Sequence, residues 1–117
     1  MIKVYASVQE FLDMESAAGA QACSVVLLAN DGMSDEAVYA FAEEAIQRGA
    51  RTLFSTGAEA WRIHDLFDDA IVMRIAQGLD AAVTTIAIES DSETEIEDEV
   101  SSLNNYDKVI FVDRRAF

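Results

Sequence analysis

The feature that most constrains the fold is a regular alternation of short apolar runs with amphipathic helical patterns. The clearest unit covers residues 25–49, where an apolar run ends at Asn30-Asp31-Gly32 and a helical pattern follows. Ser34 is a favourable N-cap for that helix, and Gly49 is placed to end it. The apolar residues of the helix recur at i, i+3, i+4, i+7 and i+8 and so share one face: Val38, Phe41, Ala42, Ala45 and Ile46.

The same alternation predicts the other elements. Strands are expected over residues 2–5, 24–29, 51–55, 71–73, 81–88 and 108–112. Helices are expected from Ser7 to about Ser16, over residues 58–69 and from Ser92 to Asn104. The inward faces of the last two helices are expected to consist of Ile63, Leu66, Phe67 and Ala70, and of Ile96, Val100 and Leu103.

Short connections between alternating strands and helices are typical of an open α/β sheet with right-handed crossovers. The sequence therefore predicts the α/β class, with a single, mostly parallel sheet flanked by helices in a Rossmann-like or flavodoxin-like three-layer sandwich. A chain of 117 residues is expected to form one domain over residues 1–117.

Composition narrows the range of partners. The net charge is −14, from 22 acidic and eight basic side chains, so nucleic acid is not expected as a partner. A basic protein partner would be attracted. No apolar run is long enough to span a membrane, and no secretory signal pattern begins the sequence. With Cys23 as the lone cysteine, the expected location is the cytoplasm.

Polar residues follow three of the predicted strands, where ligands bind in open α/β sheets. They are Asn30 and Asp31, then Ser55, Thr56 and Gly57, then Glu89 and Asp91. One interpretation is a small polar pocket, with a cation held by Asp31, Glu89 and Asp91. The alternative, which we favour, is that these residues only form turns and caps, so no metal or other cofactor is expected.

Two residues of the third helix extend this candidate ligand-binding set. Trp61 lies beside the apolar face, and His64 is spaced to pair with Asp68. No nucleophile accompanies this pair, since Cys23 precedes its strand and so lies at the opposite end of the sheet. A structural histidine is the simpler interpretation. An exposed tryptophan is also typical of protein contact sites.

Residues 25–103 resemble a family of small, acidic bacterial α/β proteins of unknown function. The similarity lies in the Asp31-Gly32 turn before Ser34-Asp35-Glu36, the Gly49-Ala50-Arg51 step, the HDLFDDA run at 64–70, and VTT at 83–85 before an acidic helix. The resemblance implies a compact Rossmann-like domain. It implies no activity, and no catalytic residue follows from it.

Three functions are compatible with these features. We favour a non-catalytic protein-interaction module, of the antagonist or immunity type, because the chain is acidic and residues 89–99 carry seven acids. The alternative is a regulatory domain that binds a small molecule or nucleotide at the predicted strand ends. A metal-assisted hydrolase ranks last. A homodimer is also expected, because an open sheet has two edges that need covering.

Overall fold

The computed structural model describes residues 1–28 and 32–113. Within these ranges the chain forms five strands and four helices, in strictly alternating order. The strands are β1 (Ile2–Tyr5), β2 (Cys23–Leu28), β3 (Ala50–Thr56), β4 (Thr84–Ile88) and β5 (Val109–Asp113). The helices are α1 (Val8–Met14), α2 (Asp35–Gln47), α3 (Ala60–Ala76) and α4 (Glu93–Leu103).

All strand pairs are parallel, and the order across the sheet is β1-β5-β2-β3-β4. The sheet is open, with β1 and β4 at its two edges, so the predicted fold class is confirmed. The last crossover returns from β4 at one edge to place β5 between β1 and β2. This return carries α4 to the face of the sheet opposite the other helices.

The two faces are covered unequally. One face packs against α1, α2 and α3 in a large core that contains Phe11, Phe41 and Phe67. Among residues 1–28 and 32–113, the other face packs against α4 alone, in a smaller core of Val26, Phe54, Ile88, Ile96, Val100, Val109 and Phe111. One helix is too narrow to cover five strands, because helices pack 8–10 Å apart and strands about 4.8 Å apart.

Local capping signals set the start of three helices as predicted. The hydroxyls of Ser7, Ser34 and Ser92 each accept a hydrogen bond from the backbone N–H three residues later. The predicted inward faces of α2 and α3 are buried in full. An i,i+4 ion pair between Glu44 and Arg48 joins the last turn of α2 to its C-cap.

The predicted strand at residues 71–73 is wrong, because these residues continue α3 to Ala76. The helix ends only where Gly78, at φ +75°, adopts the left-handed conformation that a C-terminal cap requires. The N–H of Leu79 then donates to the carbonyl of Arg74 at 3.0 Å, which satisfies the last turn. Until Gly78, no residue breaks the helix, so the apolar run remains helical.

Three smaller predictions also need correction. Strand β4 begins at Thr84 and not at residue 81, because the N–H of Ala82 bonds to Asp80 and that of Val83 to Ala81 in a local turn. Leu103 is exposed at the end of α4 instead of entering the core. Helix α1 ends at Met14, before the predicted Ser16, because Glu15 leaves the helical conformation as its C-cap.

Candidate functional site

The carboxyl ends of β2, β3 and β4 are adjacent, as the predicted polar pocket at the strand ends requires; we call this edge of the sheet the rim. Several polar groups at these strand ends form hydrogen bonds with other parts of the fold. The hydroxyl of Ser55 donates to the carbonyl of Ala60 at 2.7 Å, and that of Thr56 to the carbonyl of Leu27 at 2.9 Å. The N–H of Gly57 donates to the carbonyl of Ser90 at 3.0 Å. Asn30 and Asp31 lie outside the described residues.

The rest of the predicted set divides between the two faces of the sheet. Trp61 and His64 lie on α3, with their rings in an edge-on contact at 5.1 Å between centroids. Glu89 instead lines a shallow groove beside α4 on the opposite face. Asp91 is exposed just before α4. The structure therefore brings Trp61 together with His64 on the α3 face. It also places Thr56 beside the end of β4, where Glu89 follows, but Glu89 lines the groove on the opposite face from Trp61 and His64.

His64 has an arrangement that the sequence only partly predicted. Its Nδ1 atom lies 3.6 Å from Asp68, the predicted partner, and 3.3 Å from Asp65. Thr85 on β4 donates to Asp68 at 2.5 Å, and its oxygen lies 3.0 Å from Nε2 of His64. Because the Thr85 proton is committed to Asp68, Nε2 must be the donor to Thr85.

His64, Asp65 and Asp68 present ligand atoms within 4.8 Å of one another. These residue types could coordinate a divalent cation. Both aspartates are exposed, however, and hydrogen bonds to Thr85 hold the histidine and Asp68 in place. The cluster is fully explained as a tie between α3 and the edge strand β4.

A second groove lies on the same face as α4, between β1 and that helix. It is an apolar groove of about 500 Å³, which we call the β1–α4 groove. Its floor and inner wall consist of Ile2, Val4, Leu28, Ile96, Val100, Val109 and Phe111. Strand β1 alternates, so that Lys3 and Tyr5 face α1 while Ile2 and Val4 face the groove. Ile2 is 71% exposed and Val4 is 68% exposed, which is unusual for β-branched residues in a strand.

Carboxylates flank the apolar floor. Glu93 and Glu97 line the groove from successive turns of α4, while Asp107 and Asp113 line it from the two ends of β5. Within residues 1–28 and 32–113, neither Glu97 nor Asp107 takes part in a salt bridge. The groove thus combines an apolar floor with a negative border, and sequence analysis missed it because Ile2 and Val4 belong to an ordinary edge-strand pattern.

Helix α4, which forms one wall, is fixed at its C-terminal end. The hydroxyl of the buried Ser24 on β2 donates to Oδ1 of Asn104 at 2.6 Å. Asn104 also bonds to both the N–H and the carbonyl of Tyr106, which closes the turn into β5. The wall of the groove is therefore tied to the middle of the sheet and does not depend on apolar packing alone.

A buried ionic cluster lies on the other face, beneath α1. Glu15 is 6% exposed and accepts hydrogen bonds from Lys108 at 2.6 Å, from Lys3 at 2.9 Å and from the hydroxyl of Tyr5. Burial alone would raise the pKa of Glu15, but the bonds from Lys108, Tyr5 and Lys3 outweigh it and lower the pKa from 4.5 to about 2. Sequence analysis did not identify this cluster, because its members are far apart in the chain.

Fold and groove together define a class: an open, parallel α/β domain in which the described residues leave one sheet face partly uncovered and bordered by acids. Comparisons with protein-family models, with curated proteins and with solved structures found no match. Among the described residues, no helix is both long and apolar enough to cross a membrane.

Proposed function

We propose that the protein is a non-catalytic interaction module that binds a basic protein partner through the β1–α4 groove. The observation that carries this proposal is the exposure of Ile2 and Val4 beside the carboxylates of Glu97 and Asp107. Exposed apolar surface with a polar border is typical of protein contact sites. Burial of both side chains by a partner would contribute about 1.5–3 kcal/mol each.

Charge favours a basic partner over a neutral or acidic one. The net charge of −14 raises the local concentration of cationic segments and accelerates their association at low salt. A module that covers a basic surface of its target would act as an antagonist, of the immunity-protein type. The cytoplasm is the proposed compartment, because Cys23 is a free, buried thiol.

The test uses two fluorescent peptides of about 14 residues. Both consist of equal numbers of leucines and lysines, but the order of the residues differs. One peptide places leucine at helical spacing, and the other alternates leucine with lysine. We expect at least one to bind, and Val4→Thr to weaken its binding about fivefold to tenfold, since this isosteric change removes about 1 kcal/mol of apolar burial. Fluorescence anisotropy measures the dissociation constants.

Val72→Thr is the matched control, because Val72 is 62% exposed on α3, far from the groove. We expect it to leave binding unchanged. Equal losses in the two variants, or no binding of either peptide to the parent protein, would contradict the proposal. Circular dichroism of both variants checks that the fold is retained.

The border carboxylates allow a second, electrostatic test on α4. Glu97→Gln is expected to weaken binding of the same peptide about threefold at low salt, and to reduce the dependence of the dissociation constant on salt. Glu99→Gln removes the same charge from the same helix but faces the shallow groove on its other side. An equal effect of the two substitutions would show that only net charge attracts the peptide.

A regulatory domain that binds a nucleotide or small molecule at the rim is the second candidate, because the ends of β2, β3 and β4 are adjacent. A thermal-shift screen with nucleotides and divalent cations tests it. A ligand at 100 times its dissociation constant would add about 2.7 kcal/mol of stability. An unchanged melting temperature across the screen would count against this candidate.

The homodimer stays a prediction. Among the described strands, β1 and β4 lie at the two edges of the sheet. Sedimentation velocity of the protein at several concentrations distinguishes a monomer of 12.8 kDa from a dimer.

A further inference from the structure

We infer that the element bound in the β1–α4 groove is a basic amphipathic helix, which lies alongside α4 and covers β1 and β5. This inference rests on the proposed function and adds the conformation and orientation of the bound segment. It follows from three properties of the groove: its width, the direction in which its apolar side chains face, and the position of its charges.

The width fits a helix. Helix α4 packs over the middle of the sheet, because Ile96 and Val100 share a core with Val26 of β2. Strand β1 lies two positions from β2, or about 10 Å across the sheet. Neighbouring helices pack 8–10 Å apart, so a helix beside α4 would lie directly over β1. The open space therefore matches the position of one further helix in the layer that α4 begins.

The orientation of the apolar side chains argues against an added strand. A strand that paired with the free edge of β1 would extend the sheet sideways. It would leave Ile2 and Val4 uncovered, because these side chains point out of the sheet and into the groove. Lys3 is also a charged residue in this edge strand, a feature that disfavours edge pairing. A helix on the face, in contrast, would bury both apolar side chains.

The carboxylates specify a helix with cationic flanks. Glu97 lies along the α4 wall, and Asp107 lies just before β5. A helix with an apolar stripe against Ile2 and Val4 would present its flanking lysines or arginines to these carboxylates. The charge complementarity selects such a segment over a second copy of this chain, whose own net charge is −14.

The two leucine–lysine peptides provide the test, together with a third in which proline interrupts the helical sequence. The helically patterned peptide is expected to bind at least tenfold more tightly than either the alternating or the proline-containing peptide. This difference in affinity between the peptides should disappear in the Ile2→Thr/Val4→Thr double variant. Hydrogen exchange of the β1 amides should stay unchanged on binding, because the edge of the strand remains open.

The outcomes separate this inference from the proposed function. If the three peptides bind with equal affinity, and all bind the Val4→Thr variant more weakly, the helical conformation is contradicted but the interaction site is supported. Tighter binding of the alternating peptide, with protection of the outward-facing β1 amides, would show strand addition instead. Failure of all three peptides to bind would overturn both proposals.

Discussion

Replacing Glu15 with glutamine is expected to lower the free energy of unfolding by about 3 kcal/mol at pH 7. The substitution preserves the shape of the side chain but removes the charge that compensates Lys108, whose side chain is 10% exposed. Removing one partner of a buried ion pair typically costs 3–5 kcal/mol, because the other charge stays buried and unpaired. Urea unfolding followed by circular dichroism measures the difference.

The same carboxylate makes stability depend on pH. The pKa of Glu15 is about 2 in the folded protein and near 4.5 when unperturbed, so the folded state binds fewer protons between these values. Its contribution is therefore fully present above about pH 5, and it is lost as the pH falls towards 2. The difference between the two pKa values corresponds to about 3 kcal/mol of unfolding free energy. Glu15→Gln should remove this part of the pH dependence.

Glu99→Gln is the matched control for Glu15. Glu99 is exposed on α4, and we expect its replacement to change stability by less than about 0.5 kcal/mol. Parallel curves of unfolding free energy against pH for the parent protein and Glu15→Gln would contradict this prediction. They would show that the loss of stability in acid does not come from the Glu15 carboxylate.

Replacing Gly49 with alanine is expected to cost about 3 kcal/mol or more. Gly49 has φ +103° at the end of α2, a conformation that alanine adopts only with strain. A Cβ atom there would also lie 2.3 Å from the carbonyl oxygen of Gln21, so the backbone before β2 would have to move. The N–H of Cys23 donates to the carbonyl of Gly49 at 3.0 Å, and this movement would disturb that bond.

A substitution at Gly19 separates the cost of the positive φ from the cost of the close approach to Gln21. It also has a positive φ, of +65°, but a Cβ atom there would meet nothing within 4 Å. Gly19→Ala should therefore cost only the conformational strain, about 1 kcal/mol. If the two glycine variants have the same unfolding midpoint in urea, the close approach to Gln21 contributes nothing to the requirement for glycine at position 49.

Local signals in the sequence predicted the elements that depend on neighbours in the chain. Ser34 and Gly49 mark the two ends of α2, and the spacing of the apolar residues from Val38 to Ile46 gives its buried face. Periodicity failed at residues 71–73, because in so short an apolar run it cannot distinguish a buried strand from part of a helix. Gly78 was the available signal, because a helix without an earlier breaker continues to the first residue that can end it.

The candidate site was less predictable than the fold. The rim at Thr56 was expected because strand ends meet there in any parallel sheet. The β1–α4 groove was not expected, since its existence depends on the strand order. Only after β5 is placed between β1 and β2 does it become clear that α4 is the one helix of the described part of the chain that covers the second face.

The sequence by itself determined the α/β class, the caps of α1, α2 and α4, and the strongly negative charge, because these are properties of short segments or of composition. Tertiary structure alone decided the strand order, the exposure of Ile2 and Val4, and the assembly of Glu15 with Lys108. The physical reason is that these features join residues far apart in the chain: Glu15 and Lys108 are 93 positions apart, and Ile2 of β1 pairs with Val109 of β5. Such contacts are fixed by how crossovers pack on the two faces of the sheet, and no local pattern records that choice.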